Sequence, residues 1–262
     1  MSTAPDSPWF HRYAAHRPAV RLVCFPHAGG TTSLFHGWAA RVPPELEMLA
    51  VQYPGRRTRL AEPCVTTMDE MADRITDALK PYDDTPLALF GHSMGSAIAF
   101  EVARRLEDRT GILPVRLFAS GWSAPAAGRL PDLVPPPDEE TVLASVRQLD
   151  PEDAAVFDEP ELRELLLPPV CADYRLLAAY RMEADAAISV PITACGGDRD
   201  PSCPPQSLTS WGRRTTAGAE VCVFEGDHFY LRPSESQVVG LMTARLLAGE
   251  GRIEVPLGSG GW

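Results

Sequence analysis

The sequence predicts an α/β fold, a mostly parallel sheet with helices on both faces, and three observations carry that expectation. Short β-branched or apolar runs recur at Val20 to Phe25, Leu49 to Tyr53, Pro86 to Phe90, Val115 to Ser120, Pro191 to Cys195 and Val221 to Phe224, each with the length and composition of a buried strand. Helix-like segments alternate with these runs, and strand–helix–strand repetition implies a parallel sheet covered on both sides. The alternation fails between about Trp122 and Ser189, where PDLVPPPDEE leads into two or three helical pieces, including LRELLLPPVCADYRLLAAYRM. That stretch reads as a helical lid inserted at about 122–189, with a helical hairpin closing the core as the alternative. One domain spanning 1–262 is expected, since α/β folds of this size form a single unit.

The first clear helix has apolar residues at Met68, Met71, Ala72, Ile75, Ala78 and Leu79, a period of 3.6, and opens with Thr67 and Glu70 at capping-box spacing. A second follows Ser93, with Ala97, Ile98, Val102 and Leu106 on one stripe, and a last one runs from about Ser234 to Leu247. The GSGGW tail is expected to be flexible.

Composition excludes several classes of function. A net charge of −11 argues against nucleic acid, which requires a basic surface. No apolar run reaches the roughly 18 to 20 residues that span a bilayer, so no membrane association is expected. The N-terminal MSTAPDSPWFHRY lacks the basic start and apolar core of a signal peptide, and a cytoplasmic location follows as the expectation. The six cysteines, at 24, 64, 171, 195, 203 and 222, show no CxxC spacing and read as reduced structural residues. A monomer is expected.

Gly91-His92-Ser93-Met94-Gly95 fits G-x-S-x-G and stands between the strand-like PLALF and the helix-like GSAIAFEVARRL. This is the context of a nucleophile elbow, in which a sharp turn holds a serine in strained dihedrals, and it points to the α/β-hydrolase fold. A serine at its ordinary pKa needs a base, and the base needs an acid to set its tautomer. In this fold the chain order is Ser, then Asp or Glu, then His. His11, His16, His27, His36 and His92 all precede Ser93, so His228 is the base by elimination. The acid belongs in the loop after the preceding strand, Cys195-Gly196-Gly197-Asp198-Arg199-Asp200-Pro201. Asp200, later in the turn and stiffened by Pro201, is favoured over Asp198, which suits a cap on the turn backbone. Asp227 adjoins the histidine and is expected to point elsewhere. The oxyanion donors are expected at the amide of Met94, which follows the nucleophile, and at that of Ala28 in the turn Phe25-Pro26-His27-Ala28-Gly29-Gly30. His27 then has a structural role. A phosphate-binding loop is excluded there because no GK[ST] follows and no GxGxxG is present.

The chain resembles the stand-alone type II thioesterases that accompany modular polyketide synthases and nonribosomal peptide synthetases. The resemblance rests on FPHAGG at 25–30, YPGRRTRLAEP at 53–63, GHSMG at 91–95, GGDRDP at 196–201 and GDHFYL at 226–231. Carried over position by position, it puts the triad on Ser93, Asp200 and His228 and the oxyanion donors on Ala28 and Met94. It implies hydrolysis of acyl groups from the phosphopantetheine arm of acyl or peptidyl carrier proteins, an editing role. Cys171 departs from the pattern, standing where arginine is expected before Ala-Asp. No second domain and no carrier-type Asp-Ser-Leu site is seen, so the carrier is expected to be a separate protein. No metal or organic cofactor is expected, because no step of such a hydrolysis moves electrons or needs a Lewis acid.

Loops after the carboxyl ends of parallel strands face the active site, which places Arg56, Arg57 and Arg59 near its mouth. Carriers are acidic, as the resemblance implies, so Arg57 and Arg59 are expected to bind the carrier. The alternative is that these arginines pair with carboxylates such as Glu62 and hold the loop.

Overall fold

The computed structural model describes residues 7–13, 18–124 and 137–247. The PDLVPP stretch of the expected lid, His16 and the GSGGW tail lie outside them. Seven strands form one sheet: β1 (Phe10–Tyr13), β2 (Val20–Phe25), β3 (Leu46–Val51), β4 (Leu87–His92), β5 (Arg116–Ser120), β6 (Ile192–Gly197) and β7 (Ala219–Phe224). Their spatial order is β1-β3-β2-β4-β5-β6-β7. Only the β1–β3 pairing is antiparallel. The six runs read from the sequence all become strands, with ends displaced by a few residues. β1 was not anticipated, because a four-residue edge strand is too short to display a period.

The strands carry apolar residues on both faces because both faces are covered. Val23, Phe25, Leu49, Val51, Leu87 and Leu89 face one core, while Leu22, Cys24, Met48, Ala50, Ala88 and Phe90 face the other. The first core is closed by α1 (Met68–Leu79), α2 (Met94–Thr110) and the 3-10 segment Pro205–Arg213, which contributes Leu208 and Trp211. The second is closed by 3-10 turns holding Phe35 and Trp38, and by the helix Glu235–Leu247 through Val238, Val239 and Met242. Half of the expected capping box of α1 is seen, the Thr67 hydroxyl accepting the Glu70 amide at 3.3 Å, while the Glu70 carboxylate pairs with Arg74. β7 departs from the buried pattern: it is the edge strand opposite β1, and Val221 and Val223 are exposed.

Between β5 and β6 the chain forms α3 (Glu139–Leu149), the short α4 (Pro151–Ala154), a 3-10 turn and α5 (Pro160–Ala179). These inserted helices share their own small core of Val142, Leu143, Phe157, Leu167, Val170 and Cys171. Cys171, in place of the expected arginine, is therefore a buried hydrophobe. All six cysteines are free thiols. No helix among the described residues is long and apolar enough to cross a membrane.

Strand order places the site. From β2 the chain steps outward to β3, returns to β4 beside β2 and proceeds the other way to β5, so the order reverses between β2 and β4. Crevices form at the carboxyl ends of strands at such a reversal. In register, Phe25 lies beside Gly91 and His92 beside Ser120. The turns after β2 and β4 therefore start side by side, while Gly197 pairs with Phe224 to bring the β6 and β7 loops together.

The opposite end of the sheet is held by charge. Arg21 of β2 and Glu47 of β3 are register partners, both fully buried and ion-paired. Glu47 also binds Arg12 of β1 at 2.6 Å, and Arg21 binds Asp84 at 2.8 Å. Removing one member of a buried pair strands the other. Glu47→Ala should therefore cost about 3–5 kcal/mol in denaturant-induced unfolding. A loss below about 1 kcal/mol would mean that the pair behaves like a surface salt bridge.

Candidate active site

β4 ends at His92 and α2 begins at Met94, so Ser93 alone makes the turn. Its backbone sits at φ 54°, ψ −120°, a conformation that costs an ordinary residue about 1–3 kcal/mol. Packing enforces it: a β-carbon on Gly91 would lie 2.2 Å from the Gly95 carbonyl oxygen, and one on Gly95 would lie 2.1 Å from that of Phe25. Only glycine permits helix and strands to approach so closely. The Ser93 amide donates to the Ser120 carbonyl at 2.7 Å, and the buried Ser96 hydroxyl ties the turn further, its one proton shared between the carbonyls of Gly91 and Ser120 while its oxygen accepts the Ser120 amide.

His228 lies in the loop after β7 and is buried, as is Asp200 in the loop after β6. His228 Nδ1 stands 2.7 Å from Asp200 Oδ2. Nδ1 is also 3.0 Å from the Ser202 hydroxyl, but that hydroxyl is 2.7 Å from Asp200 Oδ1 and has a single proton to give. Nδ1–H thus donates to Asp200, which leaves Nε2 as the basic nitrogen. Nε2 is buried with no hydrogen-bond partner, and His228 and Ser93 line the same cleft. A serine–imidazole bond of this kind commonly tightens only when substrate is bound.

Asp200 Oδ1 also accepts the amides of Ser202 and Cys203. Burial acts to raise the carboxyl pKa, but the bonds and charge of His228 and the Ser202 donors outweigh it and hold the value below the ordinary one. Asp198 instead accepts the Gly226 amide at 2.8 Å and is half exposed, so it caps the turn. Asp227 accepts the Phe229 amide at 2.9 Å and makes no bond to the histidine. Ser202 was missed in the sequence, although Asp-Pro-Ser is a pattern that turns a backbone amide and a hydroxyl back onto the aspartate.

Met94 occupies the first position of α2, where a backbone amide has no intrahelical acceptor. Ala28 lines the cleft with Ser93. His27, beside it, packs edge-on against Phe229 at 4.8 Å between ring centres. Burial first, and then the nearby cation Arg232, push its pKa down to about 3, so it is a neutral structural ring. His92 is likewise held neutral by burial, and its Nδ1 lies 2.9 Å from the Ser120 hydroxyl, which in turn meets Tyr230.

The cleft measures about 380 Å³. Ser93 and His228 meet there with a wall of side chains from the inserted helices and the 3-10 turn between them, among them Val146, Leu149, Val156, Phe157, Leu166 and Val170. No group of three His, Cys, Asp or Glu residues among the described residues is placed to hold a metal ion.

The arginine loop requires a correction. Arg59 is not a free charge at the mouth: it is buried, pairs with Glu62 at 2.7 Å, donates to the Gln52 carbonyl and stacks on Trp9. Its interactions hold the loop. Arg57, at φ 50°, is exposed, lines the cleft and donates to the Ser33 hydroxyl. Arg56 is buried in a bidentate pair with Asp173 of α5, at 2.6 and 2.9 Å. The pairing of Asp173 with Arg56 was not anticipated from the sequence, because the two lie 117 positions apart.

A family model described as "Thioesterase domain" matches residues 20–246. The thioesterase PikA5 of Streptomyces venezuelae is 38% identical over 246 residues, 93% of this chain and 87% of its own. Among solved structures, the type II thioesterase BorB from the borrelidin biosynthetic cluster superposes with a TM-score of 0.81 at 37% identity, covering 91% of this chain and 97% of that one. YbtT, the type II thioesterase of the yersiniabactin NRPS/PKS pathway, gives 0.80 at 25% identity over 91% and 98%. With the α/β-hydrolase sheet in place and these likenesses running over nearly its whole length, the chain belongs to the thioesterase family.

Proposed function

We propose that this protein is a type II thioesterase that removes acyl groups from the phosphopantetheine arm of carrier proteins serving a polyketide synthase or nonribosomal peptide synthetase. The observation that carries the chemistry is the buried Asp200–His228 pair, its Nε2 unpartnered, in the cleft that Ser93 lines from its strained turn. The type II relatives support the substrate class, and a cleft walled by apolar side chains suits an acyl chain. The inserted helices act as the lid over that chain, and the carrier arrives as a separate protein. The protein works in the cytoplasm and needs no metal or organic cofactor.

In the reaction the Ser93 hydroxyl attacks the thioester carbonyl as His228 Nε2 takes its proton, and the imidazolium formed is stabilised by ionised Asp200. The amides of Met94 and Ala28 bind the developing oxyanion. Collapse expels the pantetheine thiolate, which takes the proton from His228. Water, deprotonated by the same nitrogen, then cleaves the acyl-enzyme to a free acid and restores Ser93.

Ser93→Ala should lower kcat on an acyl-pantetheine thioester by on the order of 10⁵- to 10⁶-fold with the fold intact. Retention of a tenth of the activity would eliminate Ser93 as nucleophile, and a matched oxygen ester hydrolysed faster than the thioester would reassign the enzyme to the carboxylesterases. Asp200→Asn should cost about 10⁴-fold, since an amide favours the wrong histidine tautomer. Asp198→Asn should cost far less, and the reverse order would move the acid to Asp198. Arg57→Glu should raise KM for a carrier-bound thioester several-fold, with the effect shrinking as salt rises, and should leave a small carrier-free thioester nearly unaffected. Equal losses on both substrates would remove Arg57 from the carrier contact.

A further inference from the structure

The turn holding Ala28 is pinned from three directions. The Pro26 carbonyl accepts the Tyr53 hydroxyl at 3.1 Å. The His27 carbonyl accepts the Gly30 amide at 2.9 Å. Because a trans peptide sets its C=O and N–H in opposite directions, that second bond also fixes the direction of the Ala28 N–H, which belongs to the same peptide plane. The next plane is held from outside the turn: the Gly29 amide donates to Asp173 Oδ2 at 2.7 Å. Asp173 belongs to α5 in the inserted segment, is fully buried, and is fixed in turn by both terminal nitrogens of Arg56. Arg56 Nη1 also approaches the Gly30 carbonyl at 3.5 Å. One turn earlier on α5, Val170 closes on the same glycine, since a β-carbon at Gly29 would lie 2.7 Å from Val170 Cγ2. The inserted helix thus meets the oxyanion turn at Gly29, with a charged acceptor and a methyl group.

We infer that Asp173 is a positioning residue for catalysis, holding the Gly29 amide so that the neighbouring Ala28 N–H is aligned for the oxyanion while α5 is seated. An ionised acceptor for a backbone N–H is among the stronger hydrogen bonds, and a misplacement of about 1 Å in such a site can cost 10²-fold in rate. Neither half of the Arg56–Asp173 pair touches the nucleophile or base by any hydrogen bond; Arg56 lines the cleft but Asp173 does not, so the effect of Asp173 on rate passes through the turn. This inference rests on the proposed acyl transfer at Ser93.

Two uncharged replacements of the pair separate positioning from simple support. Asp173→Leu with Arg56→Met fills the space with apolar side chains, a change that folded proteins tolerate, but leaves the Gly29 amide without an acceptor. Asp173→Asn with Arg56→Gln also removes both charges, yet keeps an oxygen for that amide. Both are compared with the wild type for thermal midpoint, for kcat and KM on a small acyl-pantetheine thioester, and for the rate of fluorophosphonate labelling of Ser93. The apolar pair should lose about 100-fold in kcat and slow in labelling, with KM little changed, while the amide pair recovers most of that loss. If leucine overpacks the site and prevents folding, Asp173→Ala with Arg56→Met takes its place in the comparison. Equal kcat values for the two folded pairs, or a loss confined to KM, would overturn the inference. A wild-type protein that neither labels nor hydrolyses the thioester would instead overturn the acyl-transfer reading on which it rests.

Discussion

The close contact between Gly95 and the Phe25 carbonyl is the constraint on which the site depends. It lets α2 start beside the end of β2, and this leaves a single residue to turn the chain between β4 and α2. That residue, Ser93, takes up the strain at φ 54° because neither neighbour can relax: Gly91 is pressed against Gly95, and the Ser93 amide is bonded to β5. The strain is local and is offset by the packing of two strands and a helix, a common arrangement where a nucleophile must stand clear of its own backbone. The same contact brings the Met94 amide, at the positive end of α2, beside the turn that carries Ala28.

Around this turn the protein surrounds a basic nitrogen with buried, neutral or paired groups. His27 and His92 lie within 6.0 Å of one another between ring centres, and His92 within 5.0 Å of His228, yet burial keeps His27 and His92 uncharged. A cation at either would oppose the imidazolium that forms on His228 during the reaction. Asp200 supplies the single nearby negative charge hydrogen-bonded to His228, and its other oxygen is saturated by Ser202 and Cys203, which orients the carboxylate. The division of labour between Asp198 and Asp200 follows from the same economy of donors: one carboxylate meets the amide of Gly226, the other the imidazole.

The arginine loop shows how burial decides the role of a charge. Arg56, Arg57 and Arg59 fall within four positions of one another, and the sequence does not show which of them is buried. In the fold, Arg59 is buried against Trp9 and Glu62, and Arg56 enters the interior to meet Asp173, while Arg57 alone stays exposed at the cleft. Two of the three therefore tie the loop to Trp9, just ahead of β1, and to α5 of the insertion. The cluster looked like a docking surface because local charge density is visible in one dimension and a partner's burial is not.

The chain by itself determined what depends on near neighbours. Strand and helix periods, the Thr67 cap, the G-x-S-x-G turn between a strand and a helix, and the order of serine, acid and histidine are all short-range patterns, and they singled out Ser93 and His228, which line one cleft, and Asp200, which bonds to His228. The contact of Asp200 rather than Asp198 with His228 agrees with a local feature, the proline after Asp200 that restricts the turn. Tertiary structure decided what depends on contacts between distant segments. Neither the edge position of β7, the pairing of Arg21 with Glu47, the burial of Arg59 nor the reach of Asp173 to Arg56 and the Gly29 amide has a local signature. The last three arise because folding removes a charged or polar group from water and must supply its partner from whichever segment packs against it, and sequence separation carries no record of that choice.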